Sequence, residues 1–259
     1  MVSHIHPTAL VDSAAELGPG VSVGPYAIIG PQVRIGEATE ILGHTVLEGA
    51  LDIGTHCLVG PHAVIGGPPQ DLKYHGEPTR VSIGDRVQLR EFATVHRASV
   101  GGDGVTRVGS DCYFMAYAHV GHDCQVEDKV VMASQACLGG HVHVGRQVIV
   151  GGLSGVHQFV HIGEMAFVSG CSGVGQDVPP YVIVQGVPAS PVGLNVVGLR
   201  RHGFSSETLA AIKQAYKLLY RSNLNTTQAL ERMAQELPSL PEIERFIAFV
   251  QRSKRGIIK

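Results

Sequence analysis

The chain has 259 residues, 44% of them apolar, and a formal net charge of −2. That apolar share can bury a core, and the near-neutral charge excludes a chain drawn as a whole to nucleic acid or to an anionic membrane. Any anionic partner has to be held by a local cluster, for which Arg200-Arg201-His202 is the candidate.

The first residues, Met1-Val2-Ser3-His4-Ile5, carry no basic stretch followed by an apolar one, and no run of about 18 apolar residues occurs anywhere. No stable membrane insertion and a cytoplasmic location are therefore expected. Thirty-three Gly against seven Phe, seven Tyr and no Trp predict a narrow interior, because bulky aromatics normally fill wide ones. Cys57, Cys112, Cys124, Cys137 and Cys171 are odd in number and lack metal-type spacing, so they read as small core residues in a reducing compartment.

From Ile5 onward an aliphatic residue recurs every sixth position, through Val11, Leu17, Val23, Ile29, Ile35, Ile41, Leu47, Ile53, Val59 and Ile65. The pattern resumes at Ile83, Leu89 and Val95, breaks again, and then runs from Val108 and Phe114 through Val120, Leu138 and Val156 to Val174. With 44% apolar residues, the two long runs would arise by chance with a probability on the order of 10⁻⁸. Small residues such as Ala27, Cys57, Ala118 and Ser154 stand two positions earlier, on the same side of a strand. Gly commonly follows the aliphatic, as at Gly18, Gly36, Gly54 and Gly163, which is expected where corners need unusual backbone angles. Each six-residue unit is thus a short strand plus a corner. The two breaks predict loops thrown out near 66–82 and 98–107.

After Val174 the period fades, leaving a last coil near Val182 to Pro191. Spacings of three and four then predict a helix from Ser205 or Ser206, a second over roughly Thr226 to Leu237, and a third from Glu242 to Arg252. A solenoid domain over 1–190 is expected, with an α-helical domain over 191–259 capping its open end.

Val120, Leu138 and Val156 are eighteen apart, so in a three-sided coil they share a face, and His119, His122, His141 and His157 fall along one edge beside them. Such an edge could be solvated and idle, could bind zinc, or could be catalytic. The spacings of three, nineteen and sixteen depart from those expected of zinc-binding γ-class carbonic anhydrases, so no metal is predicted. The stretch Ala118-His119-Val120-Gly121-His122-Asp123-Cys124 suits base catalysis on a hydroxyl nucleophile. His122 is the candidate base, Asp123 its orienting partner, and the Gly140 backbone N–H the candidate oxyanion donor.

The six-residue period resembles that of the hexapeptide-repeat acyltransferases, and the resemblance implies a left-handed parallel β-helix with three units to each triangular coil. Further motifs narrow it: Gln70-Asp71-Leu72-Lys73-Tyr74 with Gly76-Glu77-Pro78-Thr79-Arg80, then Val95-His96-Arg97, Val156-His157-Gln158-Phe159, Asp177-Val178-Pro179-Pro180-Tyr181 and Gly198-Leu199-Arg200-Arg201. Together they resemble the UDP-N-acetylglucosamine 3-O-acyltransferase family. That resemblance implies transfer of a 3-hydroxyacyl group from acyl carrier protein to UDP-N-acetylglucosamine, with no cofactor beyond the carrier's phosphopantetheine. It also implies a homotrimer with sites between neighbouring solenoids. Lys73, His96, His119, His141 and His157 would line the site, and Asp71, Gln158, Asn195 and Arg201 would contact the nucleotide sugar. Gly170 would set acyl-chain length, its missing side chain leaving a deep groove. Val197 and His202 depart from the acidic residue and the second arginine usual in the family. A related N-acyltransferase carries an extra N-terminal domain for which a chain entering its repeats at Ile5 leaves no room. The Gln70 to Arg80 motif argues against an acetyl-CoA-dependent O-acetyltransferase, and a solenoid scaffold without activity is the non-enzymatic alternative.

Overall fold

The computed structural model describes residues 4–259. Its strands form three sheets of eleven, nine and eight strands, parallel except at the last strand of the first, in which the strands up to residue 174 pair with those three places away in the chain. The architecture is a left-handed parallel β-helix with a short C-terminal helical region. Face one begins with His4–Ile5, face two with Leu10–Val11 and face three with Glu16–Leu17.

The six-residue period maps directly onto this prism. The aliphatic of each unit points inward, and in the body of the solenoid Ile29, Leu47, Ile65, Val95, Val120 and Leu138 are no more than 1% exposed. The intervening strand residues point outward and differ by face. Face three carries a polar column, Arg34, Asp52, Ser82, Arg107, Gln125, His143 and His161. Face one carries an apolar column, Tyr113, Val131, Ile149, Phe167 and Ile183, all half-buried.

The glycines after the aliphatics are present for a reason other than the expected one. Gly18, Gly36, Gly54 and Gly163 are not left-handed. A Cβ on them would come within 2.4–2.8 Å of the next coil's backbone, so the close approach of coils excludes a side chain. The left-handed conformation falls two residues later, on residues such as His44, Asp123, His141 and Phe159.

The last coil also differs from expectation. Val182–Gly186 pairs in parallel with Phe167–Val168, and Ala189–Leu194 folds back on it antiparallel, making a hairpin rather than a further turn of the prism. The C-terminal tail returns as well, with Asp177 donating to the Gly256 carbonyl at 3.1 Å and Ile258 donating to that of Asp177 at 2.8 Å. Hairpin and tail together satisfy the backbone edge that helices alone were expected to cover.

Four helices follow: α1 (Val196–Arg201), α2 (Ser206–Tyr220), α3 (Thr226–Glu236) and α4 (Pro241–Arg252). Ser205 caps α2 through the Thr208 N–H. The helix α1, which the sequence did not signal, is capped by Asn195. The last helix is held to the solenoid by Arg245, which pairs with Glu164 at 2.6 Å.

Candidate active site

The chain leaves the prism in both insertions at the edge between faces two and three. One loop lies between Val64–Gly67 and Arg80–Ile83, the other between Thr94–His96 and Val105–Val108. The same edge carries His122, Gly140 and Gln158 in one column and Asp123, His141 and Phe159 in the next, each column spaced by eighteen residues. The imidazoles thus share one edge but do not stack on one another as a ladder. His122 lies against Gly140, while His141 meets it edge-on at 5.1 Å and stacks on Phe159 at 4.5 Å.

His122 and Asp123 form the centre of the arrangement. Asp123 is 4% exposed, and its Oδ2 accepts from His122 Nδ1 at 2.8 Å and from the Ser99 N–H at 2.8 Å. A carboxylate on Nδ1 places the ring proton there and leaves Nε2 with its lone pair. His141 Nε2 lies 3.7 Å from the same Oδ2. Asp123 Oδ1 is buried without a partner among the described residues, close to Gly102. His122, Asp123 and His141 could together offer three ligand atoms to a metal, all within 4.8 Å. The 2.8 Å His122–Asp123 contact is already satisfied by a proton, so the donor set fits a hydrogen-bonded pair without further requirement.

An open cleft of about 360 Å³ faces this pair, lined by Gln70, His96, His119, Gly121, His122, Gly139, Gly140, Val156, His157 and Gln158. Among the described residues the Gly140 N–H donates to no backbone or side-chain acceptor, and it borders the cleft. His96 gives Nδ1–H to the Pro68 carbonyl at 2.7 Å, tying the first loop to the edge. His119 bonds Thr94 Oγ1 at 2.8 Å, and burial, reinforced by the neighbouring His96 and His122, lowers its pKa to about 4, so it is neutral at pH 7. Burial also lowers the pKa of His141, against an opposing pull from Asp123. His157 is exposed, within 3.3 Å of Arg255 from the C-terminal tail.

In the first loop, Asp71 accepts from the Lys73 N–H at 3.0 Å and from the Ser99 hydroxyl at 2.6 Å. The Lys73 side chain is exposed and forms no ion pair among the described residues. Arg97 holds the loop's base by donating to the Gly66 carbonyl at 2.7 Å and to the Tyr74 hydroxyl at 3.3 Å. Ser99, Arg97, Gln70 and Arg255 are site neighbours that the repeat pattern did not single out.

Three expected site residues lie elsewhere in the chain. Asn195 caps α1 and Arg201 is its last residue, near the edge between faces three and one, where Asn195 Nδ2 donates to the Met165 carbonyl at 3.0 Å and Oδ1 accepts from the Gly198 N–H at 3.0 Å. Gly170 lies on the edge between faces one and two, above Gly152, whose carbonyl oxygen would be 3.3 Å from a Cβ placed on it. Across face two from His157, Gly155 and Gly173 pair in register and present no side chain.

A family model described as Udp N-acetylglucosamine O-acyltransferase, Domain 2, matches residues 177–258. Solved structures match nearly end to end. The LpxA structure from Acinetobacter baumannii is 41% identical, covers 98% of this chain and 99% of its own, and superposes with a TM-score of 0.96. The UDP-N-acetylglucosamine O-acyltransferase (LpxA) of Moraxella catarrhalis gives 40% identity, 98% and 99% coverage and a TM-score of 0.94. The UDP-N-acetylglucosamine acyltransferase of Arabidopsis gives 34%, 98% and 100%, with a TM-score of 0.86.

Proposed function

The chain belongs to the UDP-N-acetylglucosamine O-acyltransferase family, and from that premise we propose that it transfers an (R)-3-hydroxyacyl group from acyl carrier protein to the 3-hydroxyl of UDP-N-acetylglucosamine, the first step of lipid A synthesis. The observation that carries the reading is the His122 Nδ1–Asp123 Oδ2 bond at 2.8 Å, which leaves Nε2 unprotonated beside Gly140. A sugar hydroxyl is a poor nucleophile toward a thioester until a base removes its proton. Nε2 takes that proton as the oxygen attacks the thioester carbonyl, and Asp123 stabilises the imidazolium that forms. The Gly140 N–H holds the oxyanion of the tetrahedral intermediate. Collapse breaks the C–S bond, and the imidazolium returns its proton to the departing thiolate of phosphopantetheine. No covalent enzyme intermediate and no further cofactor enter.

Asn195 and Arg201 stand on a different edge from His122, so one copy leaves these two nucleotide contacts apart from the base, while Asp71 and Gln158 lie beside it. A neighbouring copy whose edge between faces three and one meets the histidine edge brings them together. Such a contact joins two different surfaces, and its repetition closes a ring, which we take to be a homotrimer. The half-buried apolar column Tyr113, Val131, Ile149 and Phe167 on face one supports an interface there. A groove in the helical region, floored by Leu194, Leu209 and Tyr216 and bordered by Arg200, Lys213, Lys217 and Arg221, suits an anionic carrier protein. Among the described residues no helix is long and apolar enough to cross a membrane; we place the reaction in the cytoplasm, with its carrier-bound donor.

The test is turnover of purified protein with UDP-N-acetylglucosamine and a panel of 3-hydroxyacyl carrier-protein thioesters. Transfer should occur and should collapse in His122→Ala. A variant that transfers at the wild-type rate rules out this mechanism.

A further inference from the structure

We propose that Ser99 is a positioning residue that sets the substrate-binding carboxylate of Asp71 in register with the His122–Asp123 pair. The proposal rests on the function just given. Ser99 lies in the second insertion, beside Val100, which is 40% exposed, yet is itself only 2% exposed. Burial of one polar residue from an exposed loop calls for specific partners, and Ser99 has two. Its backbone N–H donates to Asp123 Oδ2 at 2.8 Å, and its hydroxyl donates to Asp71 Oδ2 at 2.6 Å.

The two carboxylates have different duties. Asp123 orients the base, whereas Asp71, from the first insertion, would hold the nucleotide sugar. Asp71 and Asp123 share no hydrogen bond, and among the described residues Ser99 bonds to both. Two donors on one residue, its N–H and its hydroxyl, fix the separation of the two acceptors to within the play of a single χ1 angle. The Ser99 hydroxyl is also the largest influence holding the Asp71 carboxyl below its ordinary value, which keeps it an acceptor-only anion for the sugar. The acceptor hydroxyl is thereby presented to His122 at a distance set by Ser99. Each reacting group placed in this way is worth most where small displacements are costly.

The side-chain half of this link can be cut alone, because Ser99→Ala removes the hydroxyl and leaves the N–H on Asp123. Loss of a hydrogen bond to a charged group predicts a KM for the nucleotide sugar raised about tenfold or more and, with the sugar no longer held in register, a smaller fall in kcat, while the KM for the acyl donor is nearly unchanged. Ser99→Thr, which keeps the hydroxyl, should restore most of that loss. The penalty should vanish in an Asp71→Ala background, since there is then no acceptor to hold. A wild-type KM in Ser99→Ala, or a penalty that persists in the Asp71→Ala background, overturns the proposal. A second readout needs no turnover: the Asp71 carboxyl, followed by ¹³C NMR, should titrate at a higher pH in Ser99→Ala than in wild type, and an unmoved midpoint also overturns it. Failure of the parent reading would show separately, as wild-type protein that transfers no acyl group.

Discussion

Gly140 offers the sharpest test of the site, because its missing side chain is explained by space and not by backbone conformation. Its backbone lies outside the left-handed region, so alanine fits there without torsional strain. A Cβ, however, would lie 2.5 Å from both Cε1 and Nε2 of His122 and 3.0 Å from Nδ1. Carbon contacts settle at about 3.5 Å or more, so the imidazole must retreat by about 1 Å. It is not free to do so while Nδ1 holds Asp123 Oδ2 at 2.8 Å. Gly140→Ala therefore lengthens or breaks a charge-assisted bond worth roughly 1.5–3 kcal/mol and moves the base off its line to the substrate hydroxyl. A misplacement of about 1 Å costs on the order of a hundredfold in rate, or about 2.7 kcal/mol in the barrier. The variant keeps the Gly140 N–H, so the loss is not that of the oxyanion donor. Steady-state transfer should show kcat down about a hundredfold with both KM values little changed. Gly175→Ala, where a Cβ would meet nothing within 4 Å, is the control. A Gly140→Ala enzyme with kcat within about threefold of wild type would refute the reasoning, since the ring would then have had room to spare.

Three further outcomes are expected. Co-expressed His122→Ala and Arg201→Ala copies, each inactive alone, should regain part of the activity in mixed assemblies purified by two tags; no recovery would mean that both residues serve the same copy. Gly170→Met should shift the preferred donor to shorter acyl chains, because a Cβ there would lie 3.3 Å from the Gly152 carbonyl oxygen, a contact that a backbone shift of a few tenths of an ångström relieves; competition between thioesters of two lengths reads this, and an unchanged preference removes the residue from chain selection. Stability should fall with acid: His119 titrates at about 4 in the folded chain against about 6.5 unfolded. Between those values only the unfolded chain binds the proton, so stability is complete above about 6.5 and is lost as pH falls toward 4, by at most about 3 kcal/mol. Urea unfolding at pH 7 and pH 5 should show a smaller difference in His119→Gln than in wild type; equal differences would assign the acid sensitivity elsewhere, His141, His143 and His161 being the other lowered imidazoles.

The prism was legible because one inward aliphatic per unit repeats without regard to what the outside of the coil does. Stacking was legible wherever the eighteen-residue period is unbroken, as from Val120 to Leu138 to Val156. It was lost where loops intervene. Val64 pairs with Thr94, thirty residues on, and Thr94 with His119, twenty-five on, so neither spacing announces itself. The Asp71–Ser99–Asp123 connection lies across those two breaks and leaves no periodic trace. The glycines were assigned the wrong cause because a conformational demand and a packing demand both select glycine. Helix α1 escaped notice because Val196-Val197-Gly198 is a poor helix former, and its Asn195 cap and its packing supply what propensity lacks. Whether His122 meets His141 in line or beside it also depends on a one-residue offset, since nineteen rather than eighteen residues part them.

That offset explains how a chemically active edge arises from a repeat that is otherwise structural. Each regular corner holds one residue in the left-handed conformation, and on the other edges the position is filled by residues such as Tyr26, Arg86, Phe92 and Lys129. A non-glycine residue there costs roughly 1–2 kcal/mol, least for Asp and Asn, and persists because hydrogen bonds to the coils on either side fix it. On the histidine edge the position belongs to Asp123, with φ of 60° and its N–H donated to Thr106 Oγ1 at 2.8 Å. Its carboxylate therefore cannot swing out to solvent, and the preceding residue, His122, always finds it at Nδ1. The rigidity that catalysis needs is the rigidity that every corner of the solenoid already has, and the two insertions add only what the repeat cannot provide, a second carboxylate and a wall for the cleft. A solenoid with the same corner but without Ser99 and Asp71 would keep an oriented base and lose its hold on the sugar, so the loss should appear in KM for the nucleotide sugar before it appears in kcat.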